Sequence, residues 1–301
     1  MRVALGGMWR AARLAKNVPL LLLVLAGALT APARPRLGPL AASLALLMVS
    51  SSFMTHLNIL TDIELDRERK PHLWRWMSAD PRVTIGVLGV ELGVVLGGVG
   101  VLALVAPAGA AGLAIFTLLT TLYSYNFFYP RQGVARRLKA HWFGHFVVCV
   151  GAYLSLWVVG HASGGAASPE SLLRWLPVFF FVSLSEYSLF LSESAIDARE
   201  ERALRLVTFA RLLGRHGSSV LALLVWLVAA AGLAVYCAGL EAAPRQRVLF
   251  AFGPALLARG AVDLLLALRL ERDEVLRARL PDFTFWASRL LTVVTLAVLS
   301  D

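Results

Sequence analysis

Asn58-Ile-Leu-Thr-Asp62-Ile-Glu-Leu-Asp66-Arg67-Glu-Arg-Lys70-Pro71 follows directly on an apolar run, and the two together decide how the chain is read. Asn58, Asp62 and Asp66 are spaced i, i+4, i+8, so at about 100° per residue their side chains share one helical face. An amide and two carboxylates aligned at the end of an apolar helix form an all-oxygen site, suited to Mg²⁺ and its phosphate ligands. Arg67 and Lys70 follow at once with cations for phosphate oxygens, and Pro71 stops the helix. Carboxylates are costly at the edge of an apolar layer and usually functional there. A second stretch, Glu193-Ser-Ala-Ile-Asp197-Ala-Arg-Glu-Glu201, repeats the spacing after another apolar run. Alone it also fits a solvated helix with i, i+4 pairs, because Arg199, Arg202 and Arg205 interleave with its acids. Two such stretches in equivalent places point instead to a diphosphate clamped between two clusters of magnesium ions.

Composition sets the class. Hydrophobic residues make up 58% of the chain and charged residues 16%, with a mean hydropathy of +0.71. A soluble domain carries about 25% charge, so the expectation is an all-α polytopic membrane protein. The net charge of +10 does not indicate nucleic acid, because the basic residues cluster in short loops between apolar runs. Cys149 and Cys237 fall inside apolar runs and read as buried small residues, with neither a disulfide nor a metal site implied. Met1 to Lys16 reads as a basic cytoplasmic segment rather than a cleavable signal peptide.

Nine apolar segments approach the roughly 20 residues needed to span: 17–33, 38–58, 83–106, 108–128, 142–161, 173–192, 217–238, 247–268 and 282–300. Arg259 and Asp263 interrupt the eighth; one turn apart, they are expected to form a buried pair with each other. Lys and Arg concentrate at the N-terminus and in the even-numbered loops, whereas the alternate loops hold only Arg34, Arg36, Arg174, Arg245 and Arg247. That asymmetry predicts a cytoplasmic N-terminus and cytoplasmic even loops, in a bacterial cytoplasmic membrane. Both acidic stretches then face one compartment. Their equivalent positions, after the second and sixth segments, hint at duplication of a four-helix unit.

The loop after segment four, Tyr123-Ser-Tyr125-Asn126-Phe-Phe-Tyr129-Pro130, continues to Arg136, Arg137 and Lys139. Its aromatics suit interfacial anchoring and its bases suit topology, but Arg137 and Lys139 also suit neutralising a diphosphate. Glu186, deeper in segment six, either touches an acceptor hydroxyl or pairs with a neighbouring helix, and the sequence alone leaves both open.

With these residues in hand, the chain resembles the UbiA-type family of intramembrane prenyltransferases. Asn58 to Asp66 matches that family's first motif, Asn-x-x-x-Asp-x-x-x-Asp. Asp197-Ala-Arg-Glu-Glu201 with Thr208 and Gly214 resembles the second, and Tyr123-Ser with Arg137-Leu-Lys139 resembles the basic loop between helices four and five. The second motif departs, with Glu193 and Glu201 where aspartates are commoner and Ser194 in place of an acid. The resemblance implies one domain over residues 1–301, a nine-helix bundle with a central polar cavity, and a polyprenyl diphosphate donor whose tail lies in a lateral groove. It implies Mg²⁺ held by Asn58, Asp62 and Asp66 on one side and by Asp197 with Glu193 or Glu201 on the other. Asp62, Asp66, Asp197 and Lys139 would be catalytic, and Asn58, Arg67, Lys70, Tyr123, Arg137, Lys139 and Glu186 would bind substrate. The implied reaction transfers the prenyl group to an aromatic or other lipophilic acceptor through an allylic carbocation. A membrane terpene cyclase would use the same ionisation; phosphoribosyl transfer to a polyprenyl phosphate, a transporter and an inactive homologue rank lower.

Overall fold

A chain this apolar has to pair its backbone groups internally, and it does so with helices. The computed structural model describes residues 14–33, 35–61, 81–125, 138, 141–164, 168–194, 208–269 and 274–299. Among them are nine helices: α1 Leu14–Leu29, α2 Leu37–Thr61, α3 Pro81–Val105, α4 Pro107–Ser124, α5 Trp142–Ser163, α6 Pro169–Ser194, α7 Phe209–Ala238, α8 Ala242–Arg269 and α9 Glu274–Val298. No strand occurs among the described residues; an isolated bridge joins Pro35 and Gly164. The helices agree with the nine expected segments in number and order. Seven of them, α2 through α8, are long and apolar enough to cross a membrane. The apolar part of α1 is shorter, Asn17–Leu29, and α9 carries Arg279, Asp282 and Arg289 among its apolar residues.

Local chemistry sets several helix ends. Val105 ends α3 and Pro107 begins α4, with Ala106 alone between them in a non-helical conformation; proline suits a first helical position because its missing N–H has no partner there anyway. The seventh helix begins at Phe209, eight residues before the expected 217, because Thr208 caps it: its side-chain oxygen accepts from the Arg211 N–H at 3.3 Å. Gly214 then interrupts the helix with φ 71°, in the left-handed region that favours glycine. The apolar pattern legible in sequence starts just beyond that kink.

Consecutive helices pack on one another from α1 to α9, and α9 packs on α1, closing a ring in chain order. Across the ring α1 also meets α5, while α2 meets α4 and α6 meets α8, the same relation in each half. Trp157 of α5 stacks on Phe179 of α6 at 5.4 Å and meets Phe252 of α8 edge-on, which ties three helices together at the core. Large side chains such as Leu104, Val235 and Leu268 point outward, as expected of a surface solvated by lipid tails.

The α1–α5 crossing is a backbone-to-backbone contact. A Cβ added at Gly160 would lie 2.1 Å from the Val24 carbonyl oxygen, and one at Gly27 would lie 2.5 Å from that of Trp157. Small residues are what permit such an approach between apolar helices. Gly160→Val is therefore expected to lower stability by about 1–3 kcal/mol or more through overpacking, read as a lower melting temperature in detergent. Gly97→Ala, at a glycine with open space beside it, should leave the melting temperature unchanged.

Candidate active site

Alternating helix direction brings the ends of α2, α4 and α6 and the start of α5 to one end of the bundle. Asn58 lies in the last turn of α2, and its side-chain oxygen accepts from the hydroxyl of Ser124, the last residue of α4, at 3.2 Å. The Thr61 hydroxyl donates to the Asn58 carbonyl at 3.1 Å. Beneath it, His56 Nδ1 lies 3.0 Å from both carboxylate oxygens of Glu91 in α3, which also accepts from the Ser52 hydroxyl at 2.6 Å. This polar pin fixes α2 against α3 just before the first motif begins.

Tyr123 adjoins Ser124, and its ring is 5.8 Å from that of His145 in the first turn of α5. His145 is buried and packed against Phe190 of α6 at 4.7 Å, with Nδ1 3.4 Å from the Tyr187 hydroxyl. The tautomer that donates from Nδ1 to Tyr187 leaves the second nitrogen as an acceptor, with no partner among the described residues. Glu193 follows Phe190 by one turn, half-buried, within electrostatic reach of Cys149 and Tyr153 on α5. Of the expected site residues, the structure therefore brings Asn58, Tyr123 and Glu193 to one end of the bundle. Asp62, Asp66, Arg67, Lys70, Arg137, Lys139, Asp197 and Glu201 lie outside the described residues.

Glu186 resolves differently. It is fully buried, and Oε1 accepts from Arg259 Nη2 at 2.8 Å and Arg289 Nε at 3.1 Å, while Oε2 accepts from Arg289 Nη2 at 2.9 Å. Of its two open readings, this geometry is the pairing with neighbouring helices, and its carboxylate is already fully engaged. The expected Arg259–Asp263 pair is corrected. Arg259 bridges to Glu186 and to the Ser185 and Ser288 hydroxyls, whereas Asp263 accepts from Ser188 at 2.6 Å and Ser192 at 2.8 Å. Arg259 fills its donors with one Glu186 oxygen and two serine hydroxyls on α6 and α9, while the two Asp263 oxygens are taken by serines of α6, so each charge is satisfied by a neighbouring helix. Arg289 also lies over the Tyr153 ring, 5.2 Å from its centroid. The two acids and two arginines balance in charge, as burial in an apolar layer demands.

Sequence reading passed over His56, Glu91, His145 and Arg289. Glu91 and Arg289 carried a usable signal, since each is an ionisable residue inside an apolar run.

An apolar groove of about 370 Å³ opens beside the site between α2, α3 and α4. It runs from Leu57 and Tyr125 inward to Phe53, Val99 and Ala114. From Tyr125 to Ala114 it follows eleven residues of α4, or about 16 Å at 1.5 Å per residue.

Among the described residues no group of three or more His, Cys, Asp or Glu could hold a metal ion. The described share of the expected donor set is the Asn58 amide oxygen and the Glu193 carboxylate. Both are hard oxygen donors, the class Mg²⁺ prefers over nitrogen or sulfur.

The model for the UbiA prenyltransferase family matches residues 4–288. No curated protein matches the chain in sequence. Among solved structures, a UbiA homologue from Archaeoglobus fulgidus bound to GPP and Mg²⁺ superposes with a TM-score of 0.70 at 14% identity, over 97% of this chain and 99% of that one. An apo UbiA homologue from Aeropyrum pernix K1 gives 0.67 at 16% identity, over 95% and 98%. A digeranylgeranylglyceryl phosphate synthase gives 0.68 at 14% identity, over 100% and 99%. At these identities the likeness is one of fold.

Proposed function

We propose, from the premise that the chain belongs to the UbiA prenyltransferase family, that it is a Mg²⁺-dependent enzyme moving a prenyl group from a polyprenyl diphosphate to an aromatic or other lipophilic acceptor. The observation that carries this reading is the convergence of Asn58, from the first acidic stretch, with Tyr123 and Glu193 at one end of the bundle. The relative from Archaeoglobus fulgidus solved with GPP and Mg²⁺ supports the donor class and the ion.

Asn58, Asp62 and Asp66 would hold the ion from one side, and Asp197 with Glu193 and Glu201 from the other. When bound, Mg²⁺ neutralises the diphosphate and eases departure of the leaving group. Ser124 orients the Asn58 amide. Arg67, Lys70, Arg137 and Lys139 stabilise the charge that gathers on the departing diphosphate. As the carbon–oxygen bond breaks, the diphosphate takes the electron pair and an allylic cation remains among apolar and aromatic walls that exclude water. The acceptor supplies the electron pair for the new bond, then gives up a proton, which the released diphosphate takes.

The groove between α2, α3 and α4 suits the prenyl tail, because it is apolar and begins one residue from Asn58, at Leu57. Val99→Trp, at its inner end, is expected to lower turnover of geranylgeranyl diphosphate about tenfold while sparing geranyl diphosphate. Competition between the two donors measures this.

The protein is an integral, multi-pass membrane protein, and the Lys and Arg asymmetry supports a site on the cytoplasmic side. The test of the function is purified protein in lipid with Mg²⁺, a series of prenyl diphosphates and a panel of phenolic and quinolone acceptors, following diphosphate and organic products. Acceptor-dependent release is the expected result. Release with a cyclic hydrocarbon and no acceptor identifies a cyclase, and no release from folded protein with any donor overturns the reading.

A further inference from the structure

The end of the bundle opposite the candidate active site holds a second cavity, of about 680 Å³, between the end of α1, the start of α6 and the α7–α8 turn. Charged side chains border it in equal number of each sign: Arg174 and Arg247, Glu170 and Glu241. This is the end of the chain where basic residues are scarce, so two arginines on one cavity stand out from their background. Arg247 is held in place by its Nη2, which donates to the Leu29 carbonyl at the end of α1 at 3.0 Å. Its Nε is buried with no hydrogen-bond partner. The rest of the side chain is half-buried and lines the cavity, so an anionic oxygen there would meet a guanidinium already held in position. The Tyr236 hydroxyl donates to the Arg174 carbonyl, which fixes the backbone that carries the second arginine. Trp175, on the wall, is stacked on Phe179 at 6.0 Å, so the cavity has rigid sides.

We propose that this cavity binds the head group of a zwitterionic phospholipid bearing a primary ammonium. The phosphate meets Arg247 and Arg174, and the ammonium meets Glu170 and Glu241. Two carboxylates beside two guanidiniums disfavour a ligand with net negative charge, which separates this site from one for an anionic lipid. A primary ammonium has three N–H donors for the carboxylates; a quaternary one has none. Trp and Tyr at this level match the aromatic composition of a membrane interface. The exposed Leu173, Val235 and Phe250 continue from the cavity onto the lipid-facing surface, where acyl chains would lie.

The experiment is native mass spectrometry of the full chain with phosphatidylethanolamine, phosphatidylcholine, phosphatidylglycerol or free phosphoethanolamine, together with melting temperatures. Phosphatidylethanolamine is expected to be retained at least tenfold better than the other two lipids and to raise the melting temperature. Arg247→Gln removes a partner of the phosphate that the lipids share, and should lower retention of phosphatidylethanolamine about tenfold. Since Arg247 also anchors α1, Glu170→Gln is the second variant: it removes an ammonium partner at an exposed position and should lower the preference without lowering the lipid-free melting temperature. Equal retention of the three lipids, undiminished retention in Arg247→Gln, or an unchanged preference in Glu170→Gln overturns the proposal. Retention of free phosphoethanolamine without the lipid overturns the membrane source. The site is independent of the active site, so its outcome does not depend on the prenyl-transfer reading.

Discussion

Asp62→Ala should reduce diphosphate release by about 10³-fold or more while leaving the melting temperature within a degree or two of the parent. Asp62 is the middle member of the Asn58–Asp62–Asp66 spacing, so on the proposed reading its carboxylate would serve both the ion and the geometry of its neighbours. Removing a single preorganised group that stabilises a departing anion costs about 10²–10³ in rate, and loss of the ion it holds costs more. Asn58→Ala should do less, about tenfold, because an amide oxygen is a weaker ligand and the variant mainly frees Ser124, its hydrogen-bond partner at 3.2 Å. Asp62→Asn keeps an oxygen donor and should fall between the two, with partial recovery as Mg²⁺ is raised. The measurement is single-turnover diphosphate release across a Mg²⁺ titration. Undiminished release from Asp62→Ala would remove the first acidic stretch from the mechanism, however well the remaining chain fits the family.

The residues that announced the fold did so because apolar length and loop charge are properties of the chain itself. Nine runs gave nine described helices, and the alternation of Lys and Arg put the two acidic stretches on one side before any packing was known. Asn58 and Glu193, on α2 and α6, do lie at the same end. What sequence could not supply was the partner of each buried charge. Helical periodicity shows that Arg259 and Asp263 share a face of α8, but it is silent on which neighbouring helix that face meets. Arg259 turned to Glu186 on α6, and Asp263 to Ser188 and Ser192, two and six residues further along the same helix. His145 was illegible for a related reason: a histidine at the start of an apolar run looks like an interfacial residue until Tyr123, Tyr187 and Phe190 are brought round it. The start of α7 hid behind Gly214, whose conformation breaks the periodicity that a sequence window relies on.

Glu186→Ala should be the most damaging single change to stability in the described structure, by about 3–5 kcal/mol. The loss is larger than that of one ion pair because Glu186 faces two arginines, and its removal leaves both buried without their carboxylate. Asp263 is too committed to Ser188 and Ser192 to replace it without breaking those bonds. The double variant Glu186→Ala, Arg289→Met should recover part of the loss, since Arg259 and Asp263 then balance in charge and the methionine fills space beneath Tyr153. Glu186→Gln keeps the shape and one acceptor oxygen but forfeits the two-oxygen grip on Arg289, and should lie between parent and alanine. Melting temperature and monodispersity in detergent measure all three. They also separate the two roles that the sequence allowed for Glu186. A carboxylate that held an acceptor hydroxyl would, as glutamine, lower product formation and leave the melting temperature alone. One that locks α6 to α8 and α9 lowers the melting temperature first, and activity falls only as folded protein is lost.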